Sequence, residues 1–120
     1  MRVAGIGFRS GATRASLRDA YARAGGKAEA LATVAEKATA AALVGFAREI
    51  GLRVLAIEAA ALAAETVLSR SARVEERFGT GSLAEAAALA AAGPGARLLG
   101  PRVVSQDGMA TAAIAEGTGK

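Results

Sequence analysis

The chain contains no cysteine, no histidine and no tryptophan in 120 residues. Without cysteine there are no disulfides, no thiolate nucleophiles and no zinc–sulfur centres. Without histidine, the commonest general base and the commonest metal ligand are both missing, so no metal site is expected and any catalysis is narrowly constrained. Aromatic bulk is equally scarce, limited to Phe8, Tyr21, Phe46 and Phe78. No aromatic platform interleaved with basic residues is available to stack bases, which argues against a nucleic-acid partner. Long apolar runs are absent as well. The stretch from Ala56 to Ala64 is too short and too interrupted to span a bilayer. Met1-Arg2-Val3 enters a strand-like run with no signal-peptide hydrophobic region. A cytoplasmic protein with no membrane partner is the expectation.

What is present is alanine, glycine and positive charge. Hydrophobic residues make up 52% of the chain, much of it alanine, so a thin core with helices lying close on a sheet is expected. The formal charge is +4 and unevenly spread: Arg2, Arg9, Arg14, Arg18, Arg23 and Lys27 are interrupted only by Asp19. Such a surface suits an acidic partner, whether phosphate or polycarboxylate, or serves solubility alone.

The order of patterns is strand, helix, strand, helix, strand. Val3 to Phe8 reads as a buried strand, and from Thr13 the periodicity becomes helical until Gly25-Gly26. Leu31 to Ala35 is a second strand. Leu43, Phe46, Ala47 and Ile50 then mark a helix stopped by Gly51, and Leu52 to Ile57 gives a third strand. Two βαβ units imply parallel strands with right-handed crossovers. Short helices are expected over Glu58–Glu65 and Ala72–Phe78, and a longer one from Leu83 to about Ala92, ended by Gly93-Pro94. Ala96–Leu99 and Met109–Ala115 are the last strand candidates, with Gln106-Asp107-Gly108 as a hairpin signal between them. The fold class is therefore α/β: a three-layer α/β/α arrangement around a mixed, mostly parallel sheet of about five strands, with an antiparallel C-terminal hairpin strand. Residues 1–116 are expected to form one domain and 117–120 a frayed tail.

In such a sheet, ligands collect beyond the carboxyl ends of the strands. That edge gathers the Gly7–Gly11 loop, Glu36-Lys37 after the second strand, and Glu58 after the third. Gly5-Ile6-Gly7-Phe8-Arg9-Ser10 does not match a dinucleotide loop, because the third glycine falls at Ser10. A small-anion loop built from Gly7, Arg9, Ser10, Gly11 and Thr13 fits better; the alternative is a tight turn that needs glycine only for its backbone. Lys37 is either a charge aimed at a ligand or a solvated lysine. Glu36 and Glu58 read as helix-entry surface residues rather than an acid–base pair, and Ser69 and Ser71 as caps rather than nucleophiles. Gly79-Thr80-Gly81-Ser82 leads into Leu83-Ala84-Glu85. The Ser82-x-x-Glu85 spacing is that of a capping box, and the glycine loop ahead of it can bring N–H donors to an anion at a helix N-terminus.

Taken in order, these segments resemble the CobE / CbiG C-terminal domain family of cobalamin biosynthesis. The residues that carry the resemblance are Val3–Ala12, Lys37, Ser71-x-x-Val74, Gly79–Ala88 and Gly95-Ala96-Arg97-Leu98-Leu99-x-Pro101-Arg102, and they extend over nearly the whole chain. Two positions depart from the family pattern. No acidic residue follows Lys37 closely, and Ser69 stands where threonine is common. The two-part members of the family are cobalt-precorrin hydrolases that open a ring lactone and release acetaldehyde. This chain has only the C-terminal part and is similar to the free-standing members. The resemblance implies an α/β domain, no cofactor, and binding or carriage of a corrinoid intermediate such as hydrogenobyrinic acid, with other corrin-pathway enzymes as protein partners. Precorrin hydrolysis is the alternative. On that reading Gly7, Phe8, Arg9, Ser10, Gly11, Thr13, Lys37, Ser71, Gly79, Thr80, Gly81 and Ser82 form the binding edge. Phe8 faces the ring, while backbone N–H groups and arginine hold its carboxylates.

Overall fold

The computed structural model describes residues 1–72, 74 and 82–117. The strands are β1 (Arg2–Phe8), β2 (Ala30–Val34), β3 (Arg53–Ile57), β4 (Arg97–Leu98), β5 (Val103–Val104) and β6 (Ala110–Glu116). The helices are α1 (Arg14–Arg23), α2 (Ala41–Ile50), α3 (Ala59–Ala63) and α4 (Leu83–Ala92), with a short 3₁₀ turn over Ala35–Lys37. The strands form one mixed sheet in the order β3-β2-β1-β6-β4, with β5 also paired to β6. β1, β2 and β3 are parallel. β6 runs antiparallel to β1, β4 and β5. The expected α/β class and the antiparallel C-terminal strand are thus observed.

The sheet has one strand more than expected. The turn at Gln106–Gly108 joins β6 to β5, while β4 pairs with the far end of β6, Arg97 opposite Glu116. A two-residue strand following Pro101 is too short to show alternation, which is why it does not stand out in the sequence.

Period-two alternation sends β1 side chains to both faces. Ala4 and Ile6 pack with Leu17 and Ala20 of α1 and Leu43, Phe46 and Ala47 of α2. Val3 packs on the opposite face with Leu62 of α3 and Leu83, Ala86 and Ala87 of α4. On this second face Gly5 and Gly7 replace side chains with space, and α4 moves into it. A Cβ on Gly5 would stand 1.8 Å from the Ala84 carbonyl oxygen and 2.7 Å from the Ala88 nitrogen. The alanine-rich helix therefore lies backbone-close on the strand, the thin core anticipated from composition.

Caps hold the helices in place. Thr13 and Ser16 form a reciprocal capping box on α1, and Ser16 also donates to the Asp107 carboxylate at 2.6 Å, tying the helix to the β5–β6 turn. Gly51 closes α2 in the left-handed region, φ 70°. The expected tail starts at Gly117, whose N–H donates to the Met1 carbonyl at 2.8 Å; residues 118–120 lie outside the described residues. Among the described residues, no helix is long and apolar enough to cross a membrane.

Candidate functional site

The parallel strands β1 and β2 end on the same edge of the sheet. β6, running the other way, begins there: Phe8 pairs with Ala110. α4 starts at this edge too, since a Cβ on Gly7 would meet the Ala84 nitrogen and the Leu83 Cβ at 3.7 Å. A cavity of about 820 Å³ opens between these ends, within the span of about 300–1,000 Å³ common for small-molecule sites.

Seven of the sequence-predicted residues line it: Gly7, Phe8, Arg9, Ser10, Gly11, Lys37 and Ser71. Two others do not. Thr13 is committed to the N-cap of α1. Ser82 is fully buried, with its oxygen accepting from the Glu85 N–H at 3.2 Å, so it caps α4 beside the cavity rather than on it. Gly79, Thr80 and Gly81 lie outside the described residues.

The loop after β1 is a tight turn pinned to the start of β6. Arg9 N–H donates to the Met109 carbonyl at 2.9 Å, and Ala12 N–H to the Arg9 carbonyl at 3.0 Å. This leaves Arg9 and Ser10 exposed at the rim. Lys37, on the 3₁₀ turn after β2, reaches across the strand ends. Its ammonium donates to the Phe8 carbonyl and stands 5.0 Å from the centroid of the Phe8 ring, a cation–π distance. The charge of Lys37 and the half-buried ring of Phe8 are thus held as a pair.

Several lining residues escaped the sequence reading, among them Arg102, Val104, Met109 and Thr111. The signal for them is the Gln106-Asp107-Gly108 turn. A hairpin antiparallel to β1 must bring its turn end to the carboxyl end of β1, and these residues flank that turn. Among the described lining residues, Arg9, Lys37 and Arg102 are cationic, against the single carboxylate of Glu36. Phe8, Leu83, Val104 and Met109 supply an apolar wall. Concave, partly apolar and positively charged, this lining suits a ligand with an apolar body and several anionic groups.

The capping box on α4 is only half formed. Glu85 does not return to the Ser82 N–H. Its Oε1 accepts from the backbone N–H groups of Leu68 (2.6 Å) and Ser69 (2.9 Å), and its Oε2 from the Ser69 hydroxyl (2.7 Å) and the Arg102 N–H (2.7 Å). The side chain is fully buried. Burial acts to push its pKa up, but the Ser69 hydroxyl and the three backbone donors outweigh it and hold the carboxyl below its ordinary value. Local spacing favours the reciprocal bond, but three non-local N–H donors left without partners would cost more, and they win the carboxylate.

The Cobalamin synthesis G C-terminus family matches residues 2–115. The chain belongs to this family. Two solved structures agree. CobE, described as a protein from the cobalamin (vitamin B12) biosynthetic pathway, is 33% identical with a TM-score of 0.85, over 96% of this chain and 89% of that one. The cobalamin biosynthesis protein chiG from Agrobacterium tumefaciens str. C58 is 37% identical with a TM-score of 0.71, over 98% of this chain and 99% of that one. A comparison with curated proteins gives no match. The chain is a cobalamin biosynthesis protein of the CobE/CbiG family, and the α/β fold is that of the family. In this family member the cavity is formed by the ends of β1, β2 and β6 and the first turn of α4.

Proposed function

We propose that the protein binds a polycarboxylate corrinoid intermediate, such as hydrogenobyrinic acid, in the cavity at the carboxyl ends of β1 and β2, and passes it to other enzymes of the corrin pathway in the cytoplasm. The observation that carries this reading is the lining itself. Arg9, Lys37 and Arg102 stand around an apolar wall of Phe8, Leu83, Val104 and Met109. Corrin precursors combine an apolar macrocycle with peripheral acetate and propionate carboxylates, so the two halves of the lining match the two halves of the ligand. Cationic side chains give charge-assisted bonds to carboxylates, and the Phe8 ring offers a flat apolar face. Gly7, Ser10, Gly11 and Ser71 line the same cavity and are assigned to the ligand contact surface.

A visible-spectrum titration with hydrogenobyrinic acid, followed by gel filtration, tests this. A spectral shift with co-elution of the pigment is expected, and Arg9→Ala weakens it about tenfold while leaving thermal stability unchanged. An unshifted spectrum with no retained pigment would falsify the proposal. Release of acetaldehyde from a cobalt-precorrin lactone, lost in Lys37→Ala, would assign the protein to hydrolysis instead.

A further inference from the structure

Glu85 is a carboxylate that the binding reading leaves unused, and it is fully buried. Its four bonds join three separate parts of the chain: the first turn of α4, the Leu68-Ser69 segment and the backbone of Arg102. Each part continues into the cavity wall within a few residues. α4 contributes Leu83, the Ser69 segment runs on to Ser71 and Val74, and the third part contributes Arg102 itself and Val104. The segments around residues 69 and 102 have no mutual β-pairing in the sheet, so this carboxylate is a direct link between them and α4.

We propose that Glu85 is a positioning residue of the cavity: by bonding Leu68, Ser69 and Arg102 together, it sets where the Arg102 side chain stands on the rim. It touches no ligand and acts through Arg102. Charged carboxylates accept stronger hydrogen bonds than neutral groups, and holding four donors at once makes the arrangement of both segments single-valued. The consequence for a ligand rests on the corrinoid reading above; the clamp itself does not.

Glu85→Gln preserves shape but replaces an acceptor oxygen with a donor NH₂ that faces the Arg102 N–H in one orientation and the Leu68 and Ser69 N–H groups in the other. Amide hydrogen exchange, measured without any ligand, reads the clamp: exchange at Arg102, or at Leu68 and Ser69 together, is expected to rise about tenfold or more relative to the β1 amides. Titration with hydrogenobyrinic acid reads the positioning. Glu85→Gln is expected to weaken binding about tenfold in the native background and less than about twofold in an Arg102→Ala background, because the two act through one contact. Should Glu85→Gln fail to fold, Ser69→Ala leaves the carboxylate in place, removes one of its donors and is expected to give a smaller loss with the same dependence on Arg102. Equal losses in both backgrounds would reduce Glu85 to a stability residue and overturn the proposal, as would unchanged exchange at the three amides. A native protein that leaves the pigment spectrum unshifted refutes the corrinoid reading alone, and the exchange result still decides the clamp.

Discussion

The two faces of the sheet make a core by opposite means. On the face of α1 and α2, side chains fill the space: Phe46 is fully buried, Tyr21 meets it edge-on at 5.6 Å between ring centroids, and Leu17, Leu31 and Leu43 surround them. On the face of α4, side chains withdraw. Gly5 lies against the Ala84 backbone, and Ala86, Ala87 and Ala88 are fully buried without bulk. The first face separates helix from sheet by side-chain volume, and the second brings backbone to backbone. The candidate site draws on both, with Gly7 and Leu83 from the second and Phe8, Ala40 and Ala110 from the first. Close approach lets the first turn of α4 reach the end of β1, so Leu83 and Gly7 share one cavity. Packing on the α4 side is thus also site geometry, whereas on the α1/α2 side only Phe8, Ala40 and Ala110 meet the site and the bulk around Phe46 is chiefly stability.

Substitution on each face can break this contrast. Phe46→Ala opens a void in the bulky face, and a loss of about 4 kcal/mol is expected in urea unfolding. At temperatures where this variant stays folded, its corrinoid affinity should be close to native; an affinity loss in proportion to stability would show that both faces shape the site. Gly5→Ala inserts a methyl group where there is no room. Overpacking typically costs about 1–3 kcal/mol and more where backbone blocks the way, and here it must lift α4 from β1. A stability loss comparable to that of Phe46→Ala with a larger loss of pigment binding is the expected pattern, and a larger loss of binding in Phe46→Ala would end the distinction. The smallest effect is expected at Ser82. Ser82→Ala removes one N-cap bond, costing about 1 kcal/mol in thermal unfolding and leaving affinity unchanged. If affinity falls as well, Ser82 belongs to the site and not only to the helix start.

Much of this architecture is legible in the residues because its signals are local. Gly51 ends α2, helical periodicity starts at Thr13 and β1 reads as a buried strand, since each depends on neighbours within a few positions. The lower rim of the site, from Gly7 to Gly11 with Lys37, is legible for the same reason: parallel strands leave their following loops on one edge. Arg102, Val104 and Met109 are harder, because only the register of β6 against β1 brings them there. Glu85 marks the limit of local reasoning. Ser-x-x-Glu spacing points to a reciprocal cap, and half of that cap exists, yet the carboxylate is taken by Leu68, Ser69 and Arg102, 16 or 17 positions away. Burial creates that demand, and it cannot be read from spacing. Thr13 shows the same effect in reverse. Adjacent to an anion-like loop, it is spent on its own helix.

The position of β6 has a consequence for how the chain reaches this state. It is the last strand described and yet it lies in the middle of the sheet, paired with β1 along its whole length from Arg2 opposite Glu116 to Phe8 opposite Ala110. As the chain is synthesised, β1, β2 and β3 can assemble early, but one side of β1 stays an open ladder until residue 116 has emerged. That open ladder is a template for any extended segment of another chain. Closure joins Arg2 to Glu116, far apart in sequence, and pairing of that range is intrinsically slow. Until β6 docks, that side of β1 is where this chain is exposed to misassembly.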